Sequence, residues 1–364
     1  MKISFNNFQR QYNENKKDLD SALTRVAESG HYILGPEVKN FEDNFAKYIG
    51  SKFAIGVANG MEALQISLMA LGIGKDDEVI TTPHSAVATT LAITNIGAKP
   101  VFCDIDEYYH IDSSKIEALI TTRTRAIVPV HLYGQSADLD EIGRVARKHN
   151  IHIIEDCAQG HGAMFRGKKV GSFGTFGCFS FYPTKNLGGM GDGGAITTDD
   201  KELAEKCKML RNYGQKNRYE HEFQGMNSRL DEIQAALLSI LLEKLDSHNL
   251  RRQKIAEIYI NELSKIREIE LPNTRADSNH VYHLFVIKSE KRDGLQKYLE
   301  DKGVQSLIHY PIPIHKQKCL SDYNSMNLPV VENIVTSILS LPSHPYLTDN
   351  EVSYICETIR DYYL

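Results

Sequence analysis

The sequence lacks the features that would point to a membrane-bound or secreted protein. No apolar run is long enough to cross a bilayer. The least polar stretch, 85–98, is only fourteen residues long and carries four Thr or Asn residues. The polar segment 1–17 has no apolar core of a signal peptide, so we expect none. The six cysteines form no C-x-x-C pair and predict free thiols in a reducing compartment. We therefore expect a cytoplasmic protein that does not bind a membrane.

The sequence also lacks an excess of positive charge, internal repeats and low-complexity tracts. Lys and Arg total 42 against 47 Asp and Glu, and the resulting net charge of −5 argues against a nucleic-acid-binding face. Hydrophobic residues make up 41% of the 364 positions, which is enough for a large core. At about 150 residues per domain, this length suggests two domains.

Short β-rich runs alternate with helical patterns over 40–260, which predicts an α/β fold with a largely parallel sheet. The predicted strands are 54–58, 78–82, 99–104, 126–132 and 151–155, and the predicted helices are 61–70, 138–148 and 202–211. A long amphipathic helix is predicted from Asp231. After it we predict a strand over 280–288, a helix over 293–301, a strand over 304–310 and a terminal helix over 348–364.

The change of pattern after the long helix predicts two domains. We expect a large domain over 1–245, which would hold the ligand site, and a small α+β domain over 246–364. The N-terminal segment is expected to pack on the small domain.

One lysine lies between an aromatic strand and a glycine-rich loop. The run 178–183 is rich in Phe and Tyr, Lys185 follows it, and five of the seven positions 188–194 are glycine. Burial against such a strand would lower the pKa of the amine, and a neutral amine can form a Schiff base. On this segment alone, a solvated turn lysine remains an alternative interpretation.

The glycines 189–194 also match the dinucleotide pattern G-x-G-x-x-G. That pattern is meaningful only where a helix follows it and offers its N-terminus to a pyrophosphate. Residues 195–198 are predicted to form a strand instead. A nicotinamide dehydrogenase is therefore disfavoured.

A second apolar strand, 151–155, ends in the adjacent carboxylates Glu155 and Asp156. The carboxyl end of a strand is where α/β proteins bind ligands. A pyridoxal phosphate (PLP) enzyme needs a lysine for the aldehyde carbon and a carboxylate for the ring nitrogen. Asp156 could also be a helix cap or a surface carboxylate. It could ligate a metal with His161, but nothing at ligand spacing completes that set, so we predict no metal site.

A third strand turns at Asn59-Gly60 directly into a predicted helix. The free N–H groups of Gly60 and Met61 and the helix dipole suit a phosphate. An ordinary βα turn is the alternative. Taken together, the three segments offer a phosphate site, a partner for a pyridinium nitrogen and an imine-forming lysine.

The chain resembles the DegT/DnrJ/EryC1/StrS family of PLP-dependent sugar aminotransferases over nearly its whole length. The matching segments are 35–42 (GPEVKNFE), 155–163 (EDCAQGHGA), 180–188 (SFYPTKNLG) and 225–236 (GMNSRLDEIQAA). The resemblance implies the aspartate-aminotransferase-like fold (PLP fold type I), with a mostly parallel seven-stranded sheet in the large domain and a small C-terminal α+β domain. It also implies a homodimer with shared active sites.

The resemblance assigns roles residue by residue. Lys185 would be the Schiff-base lysine, Asp156 the partner of the ring nitrogen and Gln159 the partner of the ring hydroxyl. The phosphate would be bound by Gly60, Met61, Ser180 and, across the dimer, Asn227. The residues implied for the sugar pocket are Tyr182, His309 and Tyr310.

Two departures from the commonest family pattern concern the phosphate site and the residue that covers the ring. Asn59-Gly60-Met61 supplies mainly backbone donors where many members have Ser or Thr. Ala86 occupies the usual aromatic position, so His84 is the nearest candidate to cover the ring.

The run 84–89 (HSAVAT) is similar to a subgroup that aminates the 3-keto carbon of dTDP-linked 3-keto-6-deoxyhexoses. It implies L-glutamate as amino donor, pyridoxamine phosphate (PMP) as the intermediate form and a 3-amino-3,6-dideoxyhexose product. A 4-keto-sugar aminotransferase, which shares the cofactor residues, and a non-catalytic regulator remain alternatives. A related dehydratase is disfavoured because it has His in place of the lysine.

Overall fold

A computed structural model describes residues 1–364 and contains eleven α-helices and fourteen strands. The helices are α1 (Phe8–Ser29), α2 (Pro36–Ile49), α3 (Gly60–Ala70), α4 (Val87–Thr94), α5 (Ser113–Ile116), α6 (Leu139–His149), α7 (Lys201–Leu210), α8 (Glu232–Leu263), α9 (Arg292–Asp301), α10 (Pro329–Ile334) and α11 (Asp349–Tyr363). Short 3-10 helices span Glu117–Leu119, Leu132–Gly134, Ile314–Lys316 and Lys318–Tyr323.

The strands are β1 (Phe53–Val57), β2 (Glu78–Thr81), β3 (Lys99–Phe102), β4 (Thr124–Val128), β5 (His152–Asp156), β6 (Met164–Phe165), β7 (Lys168–Lys169), β8 (Phe176–Ser180), β9 (Gly194–Thr198), β10 (Gln215–Asn217), β11 (Glu220–His221), β12 (Ser278–Asn279), β13 (Phe285–Lys288) and β14 (Ile338–Leu341). Seven of them form one sheet in the order β1-β9-β8-β5-β4-β2-β3. Only β9 runs against the others. The carboxyl ends of the six remaining strands therefore lie at one edge, where ligands bind in such sheets.

The prediction of an α/β fold with a largely parallel sheet is confirmed, and most predicted elements agree to within two residues. Two strands differ. The strand predicted over 126–132 ends at Val128, because the chain turns into a 3-10 helix at Leu132. The strand predicted over 304–310 was wrong. That segment makes only isolated bridges, from Val304 to Ile3 and from Leu307 to Ser340. Val304 is buried, but Leu307 is 45% exposed.

The long helix α8 runs through two different hydrophobic cores. Its first half contributes Leu238, Leu241 and Leu245 to the core that packs against the large sheet. Its second half contributes Ile255 and other residues to a core built from β13, β14, α9 and α11. The division at 245/246 stays a prediction, and the boundary it proposes falls inside this continuous helix.

The N-terminal segment contacts the C-terminal part of the chain. Ile3 lies in the same core as α9 and α11 and pairs with Val304. Arg10 forms an ion pair with Glu351 at 2.7 Å. All six cysteines are free thiols, as predicted, and five of them are buried. None of the helices combines the length and apolar character needed to cross a bilayer.

Candidate active site

Lys185 lies in the loop that follows β8, and its surroundings desolvate the amine. The loop turns back at once, because the N–H of Lys185 donates to the carbonyl of Tyr182 at 2.9 Å. Burial lowers the pKa of Lys185 to about 8, and the charge of Asp156 partly opposes that shift. An exposed turn lysine would keep its ordinary pKa near 10.4. The structure therefore gives Lys185 the environment of a reactive amine rather than of a solvated turn.

Asp156 ends β5 and is 4% exposed. Its Oδ2 accepts a hydrogen bond from Thr89 Oγ1 at 2.8 Å, and its Oδ1 accepts one from the N–H of Ala158 at 3.1 Å. Burial raises the pKa of this carboxyl, whereas the two hydrogen bonds and the charge of Lys185 lower it. Asp156 is therefore a buried carboxylate with stabilising donors, not a helix cap or a surface group.

The adjacent Glu155 has a different role. Successive strand residues point to opposite faces of a sheet. Glu155 accepts hydrogen bonds from the N–H groups of Gly171, Phe173 and Gly174, each at 2.8 Å, and contacts His131 Nε2 at 3.0 Å. Its acceptors are thus taken up by the protein. His131, Glu155 and Cys157 lie close enough to hold a metal ion, but the carboxylate is already committed to these donors.

The N-terminus of α3 packs against the end of β8. Asn59 caps the helix by accepting from the N–H of Glu62 at 2.9 Å, which leaves the N–H groups of Gly60 and Met61 without an intrahelical partner. A Cβ on Gly60 would lie 2.6 Å from Ser180 Cβ, so only glycine allows this approach. Ser180 and the helix N-terminus therefore face one small space, a geometry suited to an anion.

A hydrogen-bonded aromatic cluster surrounds Gln159. The amide oxygen of Gln159 accepts from the N–H of Tyr133 at 2.7 Å, and its Nε2 donates to Tyr310 Oη at 3.1 Å. Tyr133 Oη donates to the carbonyl of His309, so it accepts the proton of His84 Nε2 at 2.8 Å. Burial lowers the pKa of His84 to about 3, which keeps the imidazole neutral.

The remaining candidate residues differ in exposure. His309 is half-buried, contacts Ser340 Oγ through Nδ1 at 2.9 Å, and has its pKa lowered to about 4 by burial and by the charge of Lys185. Tyr182 is 52% exposed. Asn227 is exposed and precedes Ser228, whose Oγ accepts from the N–H of Ala58 at 3.1 Å. Lys185, Asp156, Gln159, His309 and Tyr310 are thus brought together, while Tyr182 and Asn227 face outwards.

Three residues near the site had no predicted role: Thr89, Tyr133 and Arg252. Thr89 falls within the quoted run 84–89, and its distance in sequence from Asp156 hid the contact. Tyr133 has a positive φ of 60°, which its sequence does not indicate. The glycine loop 189–194 leads into strand β9 and not into a helix, as predicted, so no helix N-terminus follows these glycines.

The fold places a desolvated lysine and a buried carboxylate at one edge of an α/β sheet, an arrangement typical of an enzyme active site. The family model of the DegT/DnrJ/EryC1/StrS aminotransferase family matches residues 13–360. The chain belongs to this family. It is similar to the dTDP-3-amino-3,6-dideoxy-alpha-D-galactopyranose transaminase of Aneurinibacillus thermoaerophilus, with 50% identity over 348 residues that cover 95% of this chain and 96% of the relative.

Solved structures agree over almost the whole chain. The crystal structure of DesV from Streptomyces venezuelae, a complex with a ketimine intermediate, has a TM-score of 0.97 and 44% identity, and covers 99% of this chain and 98% of that one. NtdA from Bacillus subtilis with bound PMP has a TM-score of 0.93 and 34% identity, covering 99% of this chain and 85% of that one. The predictions of the family and of the aspartate-aminotransferase-like fold are confirmed.

Proposed function

We propose that the chain transfers the amino group of L-glutamate to the 3-keto carbon of a dTDP-linked 3-keto-6-deoxyhexose, giving the 3-amino-3,6-dideoxy sugar. The chain is a PLP-dependent aminotransferase of nucleotide-linked keto sugars. The observation that carries the proposal is the desolvated amine of Lys185 beside the buried carboxylate of Asp156. The 3-position follows the relative from Aneurinibacillus, whose name specifies a 3-amino-3,6-dideoxy sugar.

The residues at the sheet edge fit PLP. Asp156 is suited to the ring nitrogen and Gln159 to the ring hydroxyl. The phosphate fits the small space in front of Ser180, where the free N–H groups of Gly60 and Met61 point. When bound, PLP supplies an electron sink for charge that develops at the amino acid carbon.

Lys185 is proposed as the catalytic residue. A pKa of about 8 gives the amine an appreciable neutral fraction near neutral pH. With PLP bound, the neutral Nζ would accept a proton from the Cα of the amino donor and would deliver it to C4′ of the cofactor, which is general acid–base catalysis. The low pKa of His309 leaves it uncharged, so it adds no positive charge that would lower the pKa of Lys185 further.

The sugar pocket is proposed to be formed by Tyr182, His309 and Tyr310. The Tyr310 hydroxyl stays protonated, because burial raises its pKa to about 12. Tyr310 and His84 lie with ring centroids 6.3 Å apart. We propose that His84 covers the cofactor ring. Neutral donors and acceptors of this kind suit sugar hydroxyl groups.

The active unit is proposed to be a homodimer in the cytoplasm. Large apolar side chains are exposed in the segment 32–34 and at Met190, Tyr213 and Ile233, and these would be covered by a second copy. Asn227 is exposed near the N-terminus of α3 and would reach the phosphate of the other subunit's site. Six free thiols suit a reducing compartment.

Absorbance spectra of the purified protein with PLP, before and after L-glutamate, test the first half of the proposal. We expect a yellow protein whose visible band is lost as PMP forms. A panel of 3-keto and 4-keto nucleotide sugars then tests the second half. Conversion of only the 4-keto sugars would replace this proposal with the 4-aminotransferase. A colourless protein that never responds to PLP would favour a regulator.

A further inference from the structure

Arg252, on α8, is a buried cation without an acidic partner. The residue is 5% exposed, and no carboxylate forms an ion pair with it. Its Nη1 donates to the carbonyls of Tyr282, His283 and Ser343, but its buried Nε has no partner at all. Burial lowers its pKa to about 10, which still leaves it charged at neutral pH. A buried charge of this kind is costly unless an anion accompanies it.

Arg252 lines two small cavities next to the catalytic lysine. One is also lined by Lys185 and His344, and the other, of about 70 Å³, by Thr184 and His309. The nearby imidazoles carry no charge, because burial lowers the pKa of both His248 and His344 to about 4. The first cavity therefore adjoins two cationic side chains, Lys185 and Arg252, and the second adjoins Arg252 alone. Arg252 has no counter-anion within the chain.

The size of these cavities favours a carboxylate over a diphosphate. A guanidinium presents parallel N–H donors that match a carboxylate, and Nε is one of them. A nucleoside diphosphate has two bulky phosphate groups, which exceed the space beside Arg252. The carboxylate of an amino acid is also one bond from the Cα, so it must lie near Lys185 during proton transfer.

We propose that Arg252 binds the α-carboxylate of the amino donor, an inference that rests on the proposed aminotransferase function. A purely structural role accounts for the hydrogen bonds from Nη1 to the three carbonyls. It does not account for the unpartnered Nε or for the missing counter-anion.

The test compares Arg252→Gln with Arg251→Gln in the PLP-loaded enzyme. Arg251 is the matched control. It is adjacent on α8 and forms an ion pair with Asp349 at 2.7 Å, but it lines neither cavity. Calorimetry measures binding of 2-oxoglutarate, which does not react with the PLP form, and of dTDP. Absorbance measures the dependence of the half-reaction on L-glutamate.

In Arg252→Gln we expect the Kd for 2-oxoglutarate and the half-saturating L-glutamate concentration to rise by about ten- to a hundredfold. The Kd for dTDP and all values for Arg251→Gln should stay within about twofold of wild type. Unchanged 2-oxoglutarate binding in Arg252→Gln would overturn the inference, as would a loss confined to dTDP. A wild-type protein that never reacts with L-glutamate would instead contradict the proposed function.

A second comparison uses only the wild-type enzyme and so does not require a folded variant. If Arg252→Gln does not fold, wild-type enzyme is given L-glutamate or its α-amide, with L-glutamine as the γ-amide control. We expect the α-amide to react at least about tenfold less efficiently than L-glutamine, because the contact to Arg252 would be lost. Equal reaction of the two amides would overturn the inference.

Discussion

Thr89 Oγ1 donates a hydrogen bond to Asp156 Oδ2 over 2.8 Å in the protein interior. Ser85 Oγ lies 3.0 Å from the same hydroxyl, so the donor is itself held in place. A hydrogen bond to the charged form of a carboxyl lowers its pKa, and here it works against burial, which raises it. Thr89 therefore helps to keep Asp156 ionised.

Thr89→Val should weaken catalysis without unfolding the protein. The substitution removes the hydrogen-bond donor but keeps the shape of the side chain, so the pKa of Asp156 should rise further. We expect kcat to fall by about tenfold, equivalent to about 1.4 kcal/mol. The visible band of the bound cofactor should shift, because Asp156, the proposed partner of the ring nitrogen, would be less ionised. Thr89→Ser keeps the hydroxyl and should retain most of the activity. Equal kcat in Thr89→Val and wild type would show that this contact is dispensable.

Glu155→Gln and Asp156→Asn should separate stability from catalysis. Gln at 155 keeps one acceptor and adds an NH2 group that faces backbone donors, so we expect a loss of about 2–4 kcal/mol of unfolding free energy. Asn at 156 should preserve the fold but lower turnover by about a hundredfold or more, since the proposed partner of the ring nitrogen would lose its charge. Urea unfolding and kcat measure the two effects. A reversal, with Asp156→Asn unstable and Glu155→Gln inactive but stable, would contradict the assignment.

The sequence predicted the parts of the site that local patterns encode. Lys185 and Asp156 follow strands whose apolar character is plain, and the topology of a parallel sheet brings such strand ends to one edge. The contact between Thr89 and Asp156 spans 67 residues (156 − 89), so no local pattern reveals it. Arg252 was missed for the same reason, because only the fold shows that α8 carries it to Lys185.

The error at 304–310 has a different physical origin. That segment contains Val304, Ile308 and Tyr310, and β-branched and aromatic residues are typical of a strand. In the structure it is extended, but only Val304 and Leu307 form bridges, each to a different partner. A composition typical of a strand does not report whether a neighbouring backbone is available for a ladder.

Gly60→Ala should weaken cofactor binding. The new Cβ would lie 2.6 Å from Ser180 Cβ and 3.1 Å from Ser180 Cα, so strand β8 and the helix N-terminus would have to separate. Overpacking of this kind costs about 1–3 kcal/mol, and we expect the Kd for PLP to rise by about tenfold or more. The control is Gly74→Ala, where the Cβ would meet only the carbonyl of Ile96 at 3.6 Å. Wild-type PLP affinity in Gly60→Ala would contradict the phosphate assignment.

Lys185→Met should stabilise the cofactor-free protein near neutral pH. Burial lowers the pKa of Lys185 from 10.5 to about 8, so between these values the unfolded chain binds more protons than the folded one. The stability of the cofactor-free wild type should therefore rise as the pH increases through this window. Below the window, the buried amine is charged and its full energetic cost is present. Methionine removes that cost, which we put at about 1–3 kcal/mol at pH 7.

Urea unfolding of both cofactor-free proteins at pH 7 and at pH 10 measures this effect. The advantage of Lys185→Met should be largest at pH 7 and should shrink at pH 10, where the wild-type amine is mostly neutral in the folded state. Lys254→Met is the control, because Lys254 is exposed and has no ion pair. It should change stability by about 0.5 kcal/mol or less at either pH. A Lys185→Met variant that is less stable than wild type at pH 7 would mean that the amine is solvated, and the argument for a reactive lysine would lose its physical basis.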